Sequence, residues 1–120
     1  MSDLDMNDLA AGFARDGYVA LQPLFDADKM AEINAELDRY IADVMHTMPV
    51  EEVYFENRDD RSTLKQMQKL SVYDAYFREL MENSVIRDLA SAAMGEAAVP
   101  QNLQYFNKPA GIGQPTPPHQ

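Results

Sequence analysis

Cysteine and tryptophan are absent from this sequence, histidine occurs twice, and lysine and arginine together number only ten. Without cysteine there is no disulfide framework, no thiolate zinc site and no cysteine nucleophile, so any metal has to rest on His, Asp and Glu. No apolar run approaches the ~18 residues of a spanning helix. The opening Met1-Ser2-Asp3-Leu4-Asp5-Met6 is acidic where a secretory or mitochondrial leader is basic. The expectation is a soluble, cytoplasmic protein. The few cations face twenty Asp and Glu, for a net charge of −10 and a pI near 4.4. Such a field repels phosphate backbones and anionic headgroups, so nucleic acid and membrane surfaces are not expected partners.

What is present fits one small globular domain: 120 residues, 46% hydrophobic and 25% charged. The acidity belongs to the first half, where residues 1–60 hold four basic and fifteen acidic side chains against six and five in residues 61–120. Leu4, Leu9 and Phe13 predict a short opening helix stopped at Asp16-Gly17. Tyr18 to Leu21 reads as a strand ended by Pro23. Asp26 can cap a long amphipathic helix in which Met30, Ile33, Leu37, Tyr40 or Ile41, and Val44 recur at helical spacing, ending before Pro49. Val53-Tyr54-Phe55 is a β-prone run followed by the turn Asn57-Arg58-Asp59-Asp60. Ser62 to Leu70 fits both periodicities and is read as strand, with Leu64, Gln66, Gln68 and Leu70 on one face. Helices are predicted over Val72–Met81 and over Val85–Met94, the latter burying Ile86, Leu89, and Ala93 or Met94 before Gly95. Val99 to Phe106 reads as extended. Lys108 to Pro118 has too much Pro and Gly for any regular element. Such a late strand has few partners in 120 residues, which leads to the expectation of a fragment.

His46, near the end of the long helix, reads as a surface histidine favoured by the helix dipole. By composition His119, beside prolines, is either a solvated loop residue or a ligand. Asp59-Asp60 and Glu51-Glu52 lack the oxygen spacing of a calcium loop. Gly111-Ile112-Gly113 stands before prolines and is no dinucleotide fingerprint. The methionines and tyrosines fall on helical apolar faces, as core residues do.

In order along the chain stand Phe13-x-x-Asp16-Gly17-Tyr18-Val19, Phe25 before the long helix, Val85-Ile86-x-x-Leu89 to Met94-Gly95, Asn107-Lys108-Pro109, and Pro118-His119-Gln120. This succession resembles the phytanoyl-CoA dioxygenase family of non-haem iron oxygenases. The resemblance implies an α+β fold: a helix-rich support over residues 1–98, then a strand and loop over 99–120 leading into a double-stranded β-helix, or jelly roll, core. It implies Fe(II) held by two His and one Asp, 2-oxoglutarate as co-substrate, dioxygen, and a small-molecule substrate. His119 matches the first metal ligand of the family's His-x-Asp. Lys65 falls where the family has a lysine that contacts 2-oxoglutarate, and Gln104 falls on a strand lining that pocket. Each has a plain alternative, a solvated strand lysine and an ordinary sheet residue; Lys108 reads as structural. An Asp following Gln120 would give a hydroxylase, whereas Gly or Ala there would leave a coordination place for chloride, as in a halogenase. The expectation is the N-terminal portion of a dioxygenase, with the distal His, the carboxylate and the oxoglutarate-binding Arg outside residues 1–120. From a different class, the sequence also reads as a small acidic helical binding or regulatory domain with a Pro-rich tail and no catalytic metal.

Overall fold

The computed structural model describes residues 6–115 and 117–118. Helix α1 spans Met6–Asp16 and α2 Ala27–Asp43, followed by 3-10 turns at Met45–Thr47 and Val50–Glu52. Strand β1 is Val53–Phe55 and β2 Leu64–Met67; helices α3 (Leu70–Tyr73), α4 (Ala75–Glu82) and α5 (Val85–Met94) lead to β3 (Tyr105–Phe106). The fold is α+β, with the strands in one antiparallel sheet of order β1-β2-β3.

Local chemistry sets most helix boundaries. Asp26 caps α2 by accepting the Lys29 backbone N–H at 2.8 Å, which satisfies an amide that the helix cannot. Helices α1 and α5 end where Gly17 and Gly95 adopt φ of 81° and 75°, a region other residues resist. The expected strand at Tyr18–Leu21 is irregular chain instead. A β-prone run needs a ladder partner to become a strand, and Tyr18 is 70% exposed while Val19 turns back toward Gly12 of α1. The single helix expected over Val72–Met81 is two, because Asp74 sits extended between α3 and α4. Its carboxylate caps α4 through the Phe77 N–H at 3.3 Å and takes the Arg39 guanidinium of α2 at 2.9 Å.

The core lies between α2, α4 and one face of the sheet. Tyr40, Met67 and Leu70 are fully enclosed, joined by Met45, Met48, Val53, Leu64 and Phe77. Each such burial is worth roughly 1.5–3 kcal/mol before entropy is counted. Tyr40 meets Phe77 edge to face at 5.6 Å and 86°, the arrangement favoured by ring quadrupoles. Its hydroxyl donates to Met48 Sδ at 3.0 Å. Burial, reinforced by the Asp74 charge, pushes the Tyr40 phenol up to about 12. A second, smaller layer forms where α1 packs on α5, with Leu9 and Leu89 the buried residues of the two helices. Of the expected α5 core residues, Ile86 and Met94 are 40% and 50% exposed: a helix backed by little more than α1 has only a narrow face to bury.

The opposite face of the sheet carries Tyr54 and Phe106, 37% and 49% exposed. No described element covers these rings.

Candidate functional site

Strand β2 contains the irregularity on which the site is built. Met67 pairs with Val53 and Gln66 with Tyr54, but Phe55 pairs with Leu64, so Lys65 is an extra residue with no partner on β1. Strict alternation from Met67 would turn Leu64 away from the core; the β-bulge absorbs one residue and returns Leu64 inward. Leu64 and Gln66 therefore do not share a face, contrary to the sequence expectation, and the strand ends at Met67 because Leu70 already begins α3. The result is a core face of Val53, Phe55, Leu64 and Met67 and an opposite face that gains Lys65 beside Gln66.

Both of the co-substrate residues expected from sequence lie here. Gln66 Nε2 donates to Gln104 Oε1 at 2.7 Å, which places Gln104, just ahead of β3, against the outward face of β2. Lys65 Nζ stands 3.4 Å from Glu56 Oε1. The Gln104 oxygen is occupied and its amide nitrogen makes no described contact, while the Lys65 side chain is 27% exposed and that of Glu56 10%. A lysine cation and a primary amide N–H are donors of the kind that a carboxylate accepts.

The chain leaves this face by a held loop. Asn107 donates its backbone N–H to Lys65 O at 2.7 Å and its side-chain amide to Leu64 O at 3.2 Å, fastening the end of β3 across the bulge. Gly113 N–H donates to Pro109 O at 3.0 Å. A Cβ at Gly113 would meet Lys108 Cβ at 3.1 Å and Pro109 O at 3.2 Å, so the turn is tightly packed there. Gln114 N–H then donates to Glu56 Oε1 at 3.2 Å. His119, the expected metal ligand, lies outside the described residues, and among those described no group of three His, Cys, Asp or Glu could hold a metal ion. The described residues by themselves therefore do not fit iron.

Next to the bulge, Glu52 is buried at 9% exposure, receives the Tyr73 hydroxyl at 2.5 Å and pairs with Lys69 Nζ at 3.0 Å. The Tyr73 hydrogen bond and the Lys69 contact hold its carboxyl below the usual range, and the same bond raises the Tyr73 phenol. This cluster anchors the 3-10 turn before β1 to α3 and pairs Lys69 away from Lys65. Sequence reasoning missed Glu56 and Gln66. Glu56 looked like one more solvated acid beside a turn, and Gln66 was hidden by an alternation that ignored the bulge.

No helix among the described residues is long and apolar enough to cross a membrane. No curated protein and no solved structure matches the chain. A family model does: that of phytanoyl-CoA dioxygenase (PhyH), over residues 13–120. The match runs from Phe13 of α1 through the bulged sheet and the loop beyond β3, and the chain accordingly belongs to the phytanoyl-CoA dioxygenase family.

Proposed function

We propose that this chain forms the N-terminal portion of an Fe(II)- and 2-oxoglutarate-dependent oxygenase that hydroxylates a small organic substrate with dioxygen, converting 2-oxoglutarate to succinate and CO₂. The observation that carries the reading is the bulge at Lys65, which adds one cation to the uncovered face without displacing Leu64 from the core. Bulges re-aim side chains in this way beside active sites. In this reading β1, β2 and β3 are the first strands of a jelly-roll core, the helices back its outer side, and the face bearing Tyr54, Gln66 and Phe106 looks into the barrel. Residues 1–98 supply the helix-rich support together with the short strands β1 and β2, and residues 99–120 supply β3 and the loop that leads to the first metal ligand.

Lys65 is the proposed partner of a 2-oxoglutarate carboxylate. Its present contact to Glu56 is long for an ion pair, and a dianion offers it a stronger charge-assisted hydrogen bond. Gln104 supplies amide N–H groups to the same ligand, oriented by the bond from Gln66. His119 is the proposed first iron ligand, delivered by the loop that Asn107, Gly113 and Gln114 hold. The hydroxylase form His-Gln-Asp is favoured over a halogenase by the Pro118-His119-Gln120 sequence.

The test is succinate release from 2-oxoglutarate by the protein as its gene encodes it. His119→Ala should lose both Fe(II) retention and succinate release, since a three-ligand facial site cannot spare an imidazole. Arg15→Gln, an exposed change on α1, should leave both at the parent level. A His119→Ala protein that still forms succinate at near the parent rate contradicts the assignment, and a parent protein that binds neither iron nor 2-oxoglutarate favours the acidic binding-domain reading.

A further inference from the structure

A second feature lies on the other side of β1. Strand β1 is an edge of the described sheet, and on its core side an open cleft of about 410 Å³ lies between the strand, the turn after α2 and the loop that joins β1 to β2. Its apolar wall is Met45, Met48, Val53 and Phe55, with Val50 at the rim. Its polar lining is cationic or neutral: Arg58, Arg61 and His46, with no acidic side chain among the lining residues.

This concentration of charge is unusual for a chain of net charge −10. Arg15, Lys29, Arg39, Lys65 and Lys69 are each paired with a carboxylate. Arg58 and Arg61 have no side-chain hydrogen bond or ion pair among the described residues. The acids nearest in sequence do not serve them. Asp60 Oδ1 is taken by the Ser62 N–H at 3.0 Å and the Ser62 hydroxyl at 2.7 Å, and Asp59 does not line the cleft. The loop presenting the two arginines is also internally fixed. Buried Thr63 accepts the Asn57 N–H at 3.0 Å, and its Oγ1 lies 2.6 Å from Asp60 O. A fixed loop loses little freedom when a ligand arrives.

We propose that this cleft binds a small organic anion with an apolar, preferably aromatic, body: its carboxylate or sulfonate between Arg58 and Arg61, its ring against Met45, Met48 and Phe55. Guanidinium forks match planar oxyanions in geometry as well as charge, and thioether sulfur packs favourably against aromatic rings. An inorganic anion leaves the apolar wall unused, and a neutral aromatic leaves both guanidiniums without a partner. The site is separate from Lys65 and does not rest on the oxygenase reading.

The experiment is a titration of the protein as its gene encodes it, labelled with ¹³C-methyl methionine, with 2-naphthoate. Saturable shifts are expected at the Met45 and Met48 methyls but not at Met30 or Met94. 2-Naphthol, the uncharged analogue, and acetate, the anion without a ring, should each bind at least about tenfold more weakly. Arg58→Gln and Arg61→Gln should each weaken naphthoate by about five- to tenfold. Val50→Asp, at an exposed rim position, should also weaken it by placing a like charge at the mouth. Equal binding of naphthol and naphthoate, unchanged affinity in both arginine variants, shifts spread over all methionines, or no shift at Met45 and Met48 would each overturn the proposal. None of these readouts involves iron or 2-oxoglutarate, so failure here leaves the oxygenase reading untouched.

Discussion

Glu56 Oε1 lies 3.4 Å from Lys65 Nζ and also accepts the Gln114 backbone N–H at 3.2 Å. One carboxylate thus ties the bulge in β2 to the loop that follows β3. Glu56→Ala should cost about 1–3 kcal/mol, because the Glu56 side chain is only 10% exposed and its loss leaves Lys65, 27% exposed, without a carboxylate partner. It should accelerate amide exchange at Gln114 more than at Gly113, whose partner is Pro109. Unchanged protection at Gln114 would show that the loop is held by something else.

Arg39 and Asp74 join α2 to α4 at 2.9 Å, and Asp74 also caps α4. Asp74→Ala removes both roles and should cost about 1–3 kcal/mol, a cap alone being worth about 1. Asp74→Asn keeps an oxygen for the Phe77 N–H and should cost visibly less. Urea denaturation of the two variants separates the contributions, and equal losses would mean that the cap carries nothing.

Acid should weaken the fold through specific carboxyls. Burial opposes ionisation of Asp74, but the hydrogen bonds from Arg39 and the Phe77 N–H outweigh it, so its carboxyl sits below the usual range. Glu52 is likewise lowered by Tyr73 and Lys69. A carboxyl lowered in the folded state stabilises fully above its unfolded pKa, near 4, and loses that stabilisation as pH falls through the lower folded value. Denaturation midpoints should therefore be level from neutral pH down to about 5 and fall below about 4. Glu52→Gln should flatten part of that fall, and a variant as acid-sensitive as the parent would remove Glu52 from the account.

The legible parts of the fold were those set by short-range chemistry. The Asp26 cap, the helical spacing of α2 and the Gly95 stop each depend on neighbours within a few residues, whereas the Val53–Phe55 run is a strand because Leu64–Met67 supplies its ladder. Where tertiary partners decide, sequence reading went astray. Tyr18–Leu21 has strand residues but no strand beside it, and Asp74 breaks a periodic helix because Arg39 and the next helix both use its carboxylate. Lys65 and Gln104 were singled out through family resemblance, whereas their contacts to Glu56 and Gln66 and the cationic cleft require knowing that β2 is bulged and which cations remain unpaired. Those are properties of contacts distant in sequence, such as Gln66 with Gln104 and Lys65 with Glu56.

The most direct measurement is anaerobic binding of 2-oxoglutarate to the Fe(II)-loaded protein as its gene encodes it, comparing the parent with Lys65→Gln and with Arg15→Gln, which removes the same charge far from the bulge. The account predicts saturable binding by the parent, weakening of about tenfold or more in Lys65→Gln from loss of one charge-assisted hydrogen bond, and parent affinity in Arg15→Gln. Parent affinity in Lys65→Gln, or equal weakening in both variants, would contradict it.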